Sequence, residues 1–97
     1  MFDIQAVRDE VIGSTHVPDS IFSDLLVEKL INKASSFKNT QSGVDELVDI
    51  VEICIRLAEL RQINGGLFYS MLGEKALKEG KYTHNRVEIK KKEVFYE

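Results

Sequence analysis

The sequence predicts an all-α protein, a helical bundle of two long antiparallel helices and a shorter third. Three observations carry this. Ile21, Phe22, Leu25, Leu26, Leu30, Ala34 and Phe37 recur at steps of three and four, which lines them up on one face of a helix. The stretch Val44–Ile63, VDELVDIVEICIRLAELRQI, is apolar on more than one side, as a helix buried by several neighbours is. Phe68, Met71, Leu72 and Ala76 form a further stripe ahead of Gly80, a residue suited to the left-handed position that follows a helix. A chain of 97 residues is one domain, residues 1–97.

Taken in order, the amino-terminal residues settle no period: Phe2, Ile4, Val7, Val11 and Ile12 fit neither helix nor strand throughout. A short helix is expected around Ala6–Ile12, ended by Gly13. Thr15–Asp19 reads as a linker and holds the only proline, Pro18, a strong turn signal. Asp19 or Ser20 is expected to cap a first long helix that runs from about Ser20 to Lys38. Asn39 to Gly43 is a polar turn of a length common between antiparallel helices. Ser42 with Asp45 is a variant capping box for the central helix. The central helix has more apolar surface than this short chain can cover, so burial against a second subunit is expected. Asn64-Gly65-Gly66 breaks the chain before a third helix over Leu67–Glu79. In Lys81–Glu97, Val87 and Ile89 alternate with charge, and Val94-Phe95-Tyr96 follows Lys90-Lys91-Lys92. This tail is expected to form a short strand or an arm that docks on a partner.

Composition narrows the class. Charged residues at 30% and hydrophobic residues at 43% are globular proportions. A net charge of −3 argues against a nucleic-acid binder, which is usually basic. The single cysteine, Cys54, rules out an intramolecular disulfide and fits a reducing compartment. No apolar run is long enough to span a membrane, and the residues after Met1 lack the basic and apolar parts of a signal peptide. A cytoplasmic protein with no membrane partner is expected.

The chemistry concentrates in the central helix. Asp45, Glu46, Asp49 and Glu52 lie at helical spacings, so they form one carboxylate cluster whose members repel one another. Asp45 and Glu46 sit in the first turn, where the helix dipole favours negative charge. Asp49 and Glu52 lie deeper, in the apolar part, where acids are paired or coordinating. Arg56, four residues after Glu52, is placed to pair with it, which leaves Asp49 the least explained. Hard cations such as Mg²⁺ use one or two carboxylates with phosphates and water. Glu28, Asn32 and Ser36 share a face of the preceding helix, but only Glu28 is an acid, and a solvated polar face explains them as well. Lys75 and Lys78 near the end of the third helix suit its dipole or a phosphate. His16 and His84 have no second histidine at ligand spacing. Cys54 has no histidine nearby and reads as a small core residue.

Glu46–Glu52, ELVDIVE, resembles the ExxD signature of the all-α nucleoside triphosphate pyrophosphohydrolases, which include MazG, phosphoribosyl-ATP pyrophosphohydrolase and the dimeric dUTPases. Val7-Arg8-Asp9-Glu10-Val11 resembles the VRDKI of the branch that begins KLVRDKI. Glu74 to Tyr82, EKALKEGKY, resembles that branch's EKAEKRGGF, and Arg86-Val87 falls where its next basic–apolar pair lies. The three motifs are co-linear across nearly the whole chain.

The resemblance implies Mg²⁺-dependent cleavage of a nucleoside triphosphate, or a related nucleotide, to the monophosphate and pyrophosphate. It implies Glu46 and Asp49 as metal ligands and Glu52 as auxiliary ligand or base, all three catalytic, with Glu28 as a rescue ligand and the Asn32 carbonyl oxygen as a further metal contact. Lys33, Ser36, Lys75, Lys78 and Arg86 become the substrate contacts, and a dimer or tetramer the assembly. The chain departs from the pattern in the first long helix. Where the family carries EExxE within LVEEAEEF, this chain reads LINKASSF, with Asn32, Lys33 and Ser36 at the glutamate positions. Lys33 is expected to hold an anion there or to pair with Asp49 or Glu46. The alternative implied is a catalytically inactive homologue that binds a nucleotide or a protein partner.

Overall fold

The computed structural model of the chain describes residues 4–90. Within them lie three helices: α1, Asp19–Lys38; α2, Val44–Leu60; and α3, Gly65–Lys78. The all-α architecture is as the periodicities predict, and no strand occurs among the described residues.

Helices α1 and α2 form an antiparallel hairpin. Gly43 makes the turn between them tight: its φ is +62°, and a Cβ at that position would run into the Phe37 ring. The Ser42 box does not form, because Gly43 is the N-cap and no side chain caps the helix. Likewise Pro18, not Asp19 or Ser20, precedes α1, again with no side-chain cap. Asp19, Asp45 and Glu46 instead act through charge in the first turns of their helices. Only α3 has a side-chain cap, Asn64 Oδ1 accepting from the Leu67 amide at 3.0 Å, so the Asn-Gly-Gly break is also a helix start. α2 ends three residues before the expected Ile63, because Gln62 turns left-handed at φ 58°. After α3, Gly80 takes φ +82° as its position requires.

The helix expected at Ala6–Ile12 does not form. The segment is an extended arm with turns, in which the Val11 amide bonds to the Arg8 carbonyl at 3.2 Å. Seven residues with three β-branched side chains are too few to offset helix nucleation. The arm is fixed by its contacts: Ala6, at 3% exposure, is the most deeply buried core residue described, in a cluster with Leu26 and Ile53. Phe22, Leu25, Leu30, Leu57 and Leu60 pack around that cluster. Burying side chains such as Leu26 and Ile53 stabilises the hairpin by roughly 2–3 kcal/mol each. Residues 81–90, the described part of the expected strand or docking arm, are exposed and form no strand; Val94-Phe95-Tyr96 lies outside the described residues.

The core is small for the chain. The molecule exposes 9504 Å², where a compact protein of this mass exposes about 5,600 Å². Part of the excess belongs to the extended segments. Much of the rest is helix surface: Val44, Leu47, Val48 and Val51 form an exposed apolar stripe on α2, and α3 buries no residue and does not touch α1. Among the described residues no helix is long and apolar enough to cross a membrane.

Candidate functional site

The seam between α1 and α2 gathers most of the charges singled out in the sequence. Ser36 Oγ meets Glu46 Oε1 at 3.4 Å, and one turn away Lys33 Nζ meets Asp49 Oδ2 at 2.8 Å. Three residues back along α1 thus match three residues forward along α2, the register of an antiparallel pair. Arg8 reaches the same acids from the arm. Its Nη1 donates to Glu52 Oε2 at 2.7 Å and its Nη2 to Asp49 Oδ1. Lys29 Nζ donates to the Ala6 carbonyl at 2.7 Å.

Asp49 is therefore held on both carboxylate oxygens, by Lys33 on one and Arg8 on the other. Hydrogen bonds from Lys33 and then Arg8 hold its carboxyl below the usual aspartate range, against a smaller opposing effect of partial burial. Glu52, followed by Asp49, drives the Arg8 guanidinium further toward its charged form. The expected Glu52–Arg56 pair is not made: Arg56 turns to Glu59, at 3.0 Å. The acid left unexplained in the sequence, Asp49, is the one with two basic partners.

Two hollows flank this network. One, of about 630 Å³, is lined by Ala6, Arg8, Lys29, Lys33, Asp49, Glu52, Ile53 and Arg56 among others, and is within the size range of small-molecule sites. The other, of about 280 Å³, is lined by Ile4, Gln5, Leu25, Glu28, Lys29, Asn32, Lys33 and Ser36. Lys29 and Lys33 border both. Glu28 and Asn32 thus open onto one side of the lysines, and Asp49 and Glu52 onto the other.

These residues do not fit a Mg²⁺ ion in the role that the resemblance implies. Among the described residues no group of three or more acids, histidines or cysteines is placed to hold a metal. An ion at Asp49 would sit against an ammonium and a guanidinium already on its two oxygens, whose charges repel it. The substrate residues separate in the same way. Lys33 and Ser36 lie in the seam, but Lys75 pairs with Glu79 at 3.7 Å on α3, and neither Lys78 nor Arg86 lines either hollow. Arg8 and Lys29 are the site residues to which sequence reasoning assigned no role. The available signal was charge balance: four acids over two turns of one helix need counter-charges, and Arg56 alone cannot supply them. Compared with protein-family models, with curated proteins and with solved structures, the chain matches none.

Proposed function

We propose that the chain is a pyrophosphohydrolase-like helical module that acts by binding, as a homo-oligomer, and not by metal-dependent hydrolysis. The observation that carries this is the state of Asp49, whose two oxygens are taken by Lys33 and Arg8. A carboxylate so paired serves as a structural anchor, its charge offset by two cations that repel a divalent ion. The assembly is supported by the unfinished core. The stripe Val44, Leu47, Val48 and Val51, with Leu67, Met71 and Leu72 on α3, is of the kind that marks an interaction surface.

A second reading, hydrolysis of a nucleoside triphosphate to the monophosphate and pyrophosphate, is favoured by one feature. Asp49 and Glu52 stand beside a hollow of nucleotide size, with Glu46 one turn away. One set of measurements separates the two. Purified protein is offered canonical and modified nucleoside triphosphates with Mg²⁺ or Mn²⁺, and pyrophosphate release is followed; its mass is read by light scattering. The binding reading expects no release, an oligomer for the wild type, and a monomer for Val51→Glu. Turnover that disappears in Asp49→Asn overturns it in favour of hydrolysis, and a monomeric wild type removes its assembly.

A further inference from the structure

We propose that residues 4–9 are the seam's own occupant, a self-docking arm that closes the α1–α2 groove and keeps external cations from the acids of α2. The inference rests on the binding reading above and names how that site is regulated. Four contacts lead to it. Ala6 fills the apolar floor between Leu26 and Ile53 and is more buried than any core residue of the helices, although it belongs to no helix. Lys29 holds its carbonyl at 2.7 Å, so the backbone of the arm is fixed at the same point. Two residues on, Arg8 forks across Asp49 and Glu52. The arm is also a wall shared by two hollows: Ala6 to Asp9 line the larger and Ile4-Gln5 the smaller.

The arm therefore divides one groove into two compartments. Lifting it joins them, so that Glu28 and Asn32 on one side and Asp49 and Glu52 on the other border a single open cleft. The acids already hold a cation from outside their helix, the guanidinium of Arg8. Among the described residues, its departure leaves Lys33 as the only base on Asp49 and leaves Glu52 without its partner. Glu52 and one oxygen of Asp49 are then open to weak association with a cation from solution. The two seats are different in kind, apolar at Ala6 and ionic at Arg8, and each lies on a short extended segment with no helix to hold it. Loss of either releases the arm, because a segment this short has little other burial.

The test uses the full chain and backbone order parameters from nuclear magnetic relaxation, with Mn²⁺ as the probe ion. In the wild type, residues 5–9 are expected to have order parameters near those of α1 and α2, about 0.85, and in Arg8→Met and Ala6→Gln to fall below about 0.6 while the helices keep theirs. Mn²⁺ is expected to broaden the amide signals of Asp49 to Ile53 at a concentration at least about tenfold lower in Arg8→Met than in the wild type. Arg8→Lys retains the charge without the fork and should fall between. A wild-type arm with order parameters below about 0.6, or an arm that stays ordered in Arg8→Met, overturns the proposal. So does an equal Mn²⁺ response in wild type and Arg8→Met. Pyrophosphate release and mass read on the same samples judge the binding reading separately: a monomer or a hydrolase with an ordered, Mn²⁺-excluding arm refutes that reading and leaves the arm standing.

Discussion

Reversing the charge of Lys33 puts a number on the seam. Its ammonium lies 2.8 Å from Asp49, with the two side chains 31% and 21% exposed. Opposite unit charges about 4 Å apart attract by about 1 kcal/mol in water and about 4 kcal/mol at the effective dielectric of a protein surface. Side chains this exposed belong near the lower figure. Lys33→Glu removes that attraction and adds a repulsion of similar size, so a loss of about 2 kcal/mol is expected, or a Tm drop of roughly 10 °C for a domain of this length. Lys33→Met loses only the attraction and should drop about half as far. Thermal unfolding at about 20 mM and about 0.5 M salt is the assay, since the higher salt screens within a few ångströms and should recover much of the Lys33→Glu deficit. Lys33→Glu as stable as the wild type at low salt, or a deficit that salt leaves unchanged, refutes the pairing.

Two further outcomes follow from the core and from Asp49. Leu26→Ala, at a position only 6% exposed, should cost about 3 kcal/mol in urea unfolding. With so few core residues, a loss under about 1 kcal/mol would show that the arm and helices do not close over this side chain. The carboxyl of Asp49 is lowered from its unfolded value of 3.8, so its contribution is complete above that value and is lost as pH falls through the folded value. Stability followed from pH 6 downward should therefore begin to fall below about pH 5, and Asp49→Asn should flatten that part of the profile. An unchanged profile in Asp49→Asn would mean that other acids govern it.

The helices were legible because their signal is local. Leu25, Leu26 and Leu30 repeat with the helical period, and the observed α1 begins one residue from the expected start. Helix starts were less legible. Ser42 has the right chemistry for a cap, but Gly43 takes the N-cap position with a left-handed φ, and the Phe37 ring leaves no room there for a Cβ. The arm was missed for a related reason. Val7, Val11 and Ile12 carry no period, and what fixes the segment is burial of Ala6 between Leu26 and Ile53, 20 and 47 residues away. The pairing of Lys33 with Asp49 was one of the expected alternatives, since helix register places them together. The Arg8 fork was not, because it depends on where an aperiodic segment lies.

The hairpin also sets an order of events in time. The α1–α2 contacts join neighbours in sequence across a short turn, and contacts of this kind form within microseconds to milliseconds. The seat of Ala6 is built from Leu26 and Ile53 together, so the arm is expected to dock after the hairpin forms. Refolding watched at the helices should run ahead of refolding watched at Ala6. The ionic closure of Arg8 over Asp49 and Glu52 is expected to follow the hairpin as well, which makes the seam a late site of folding.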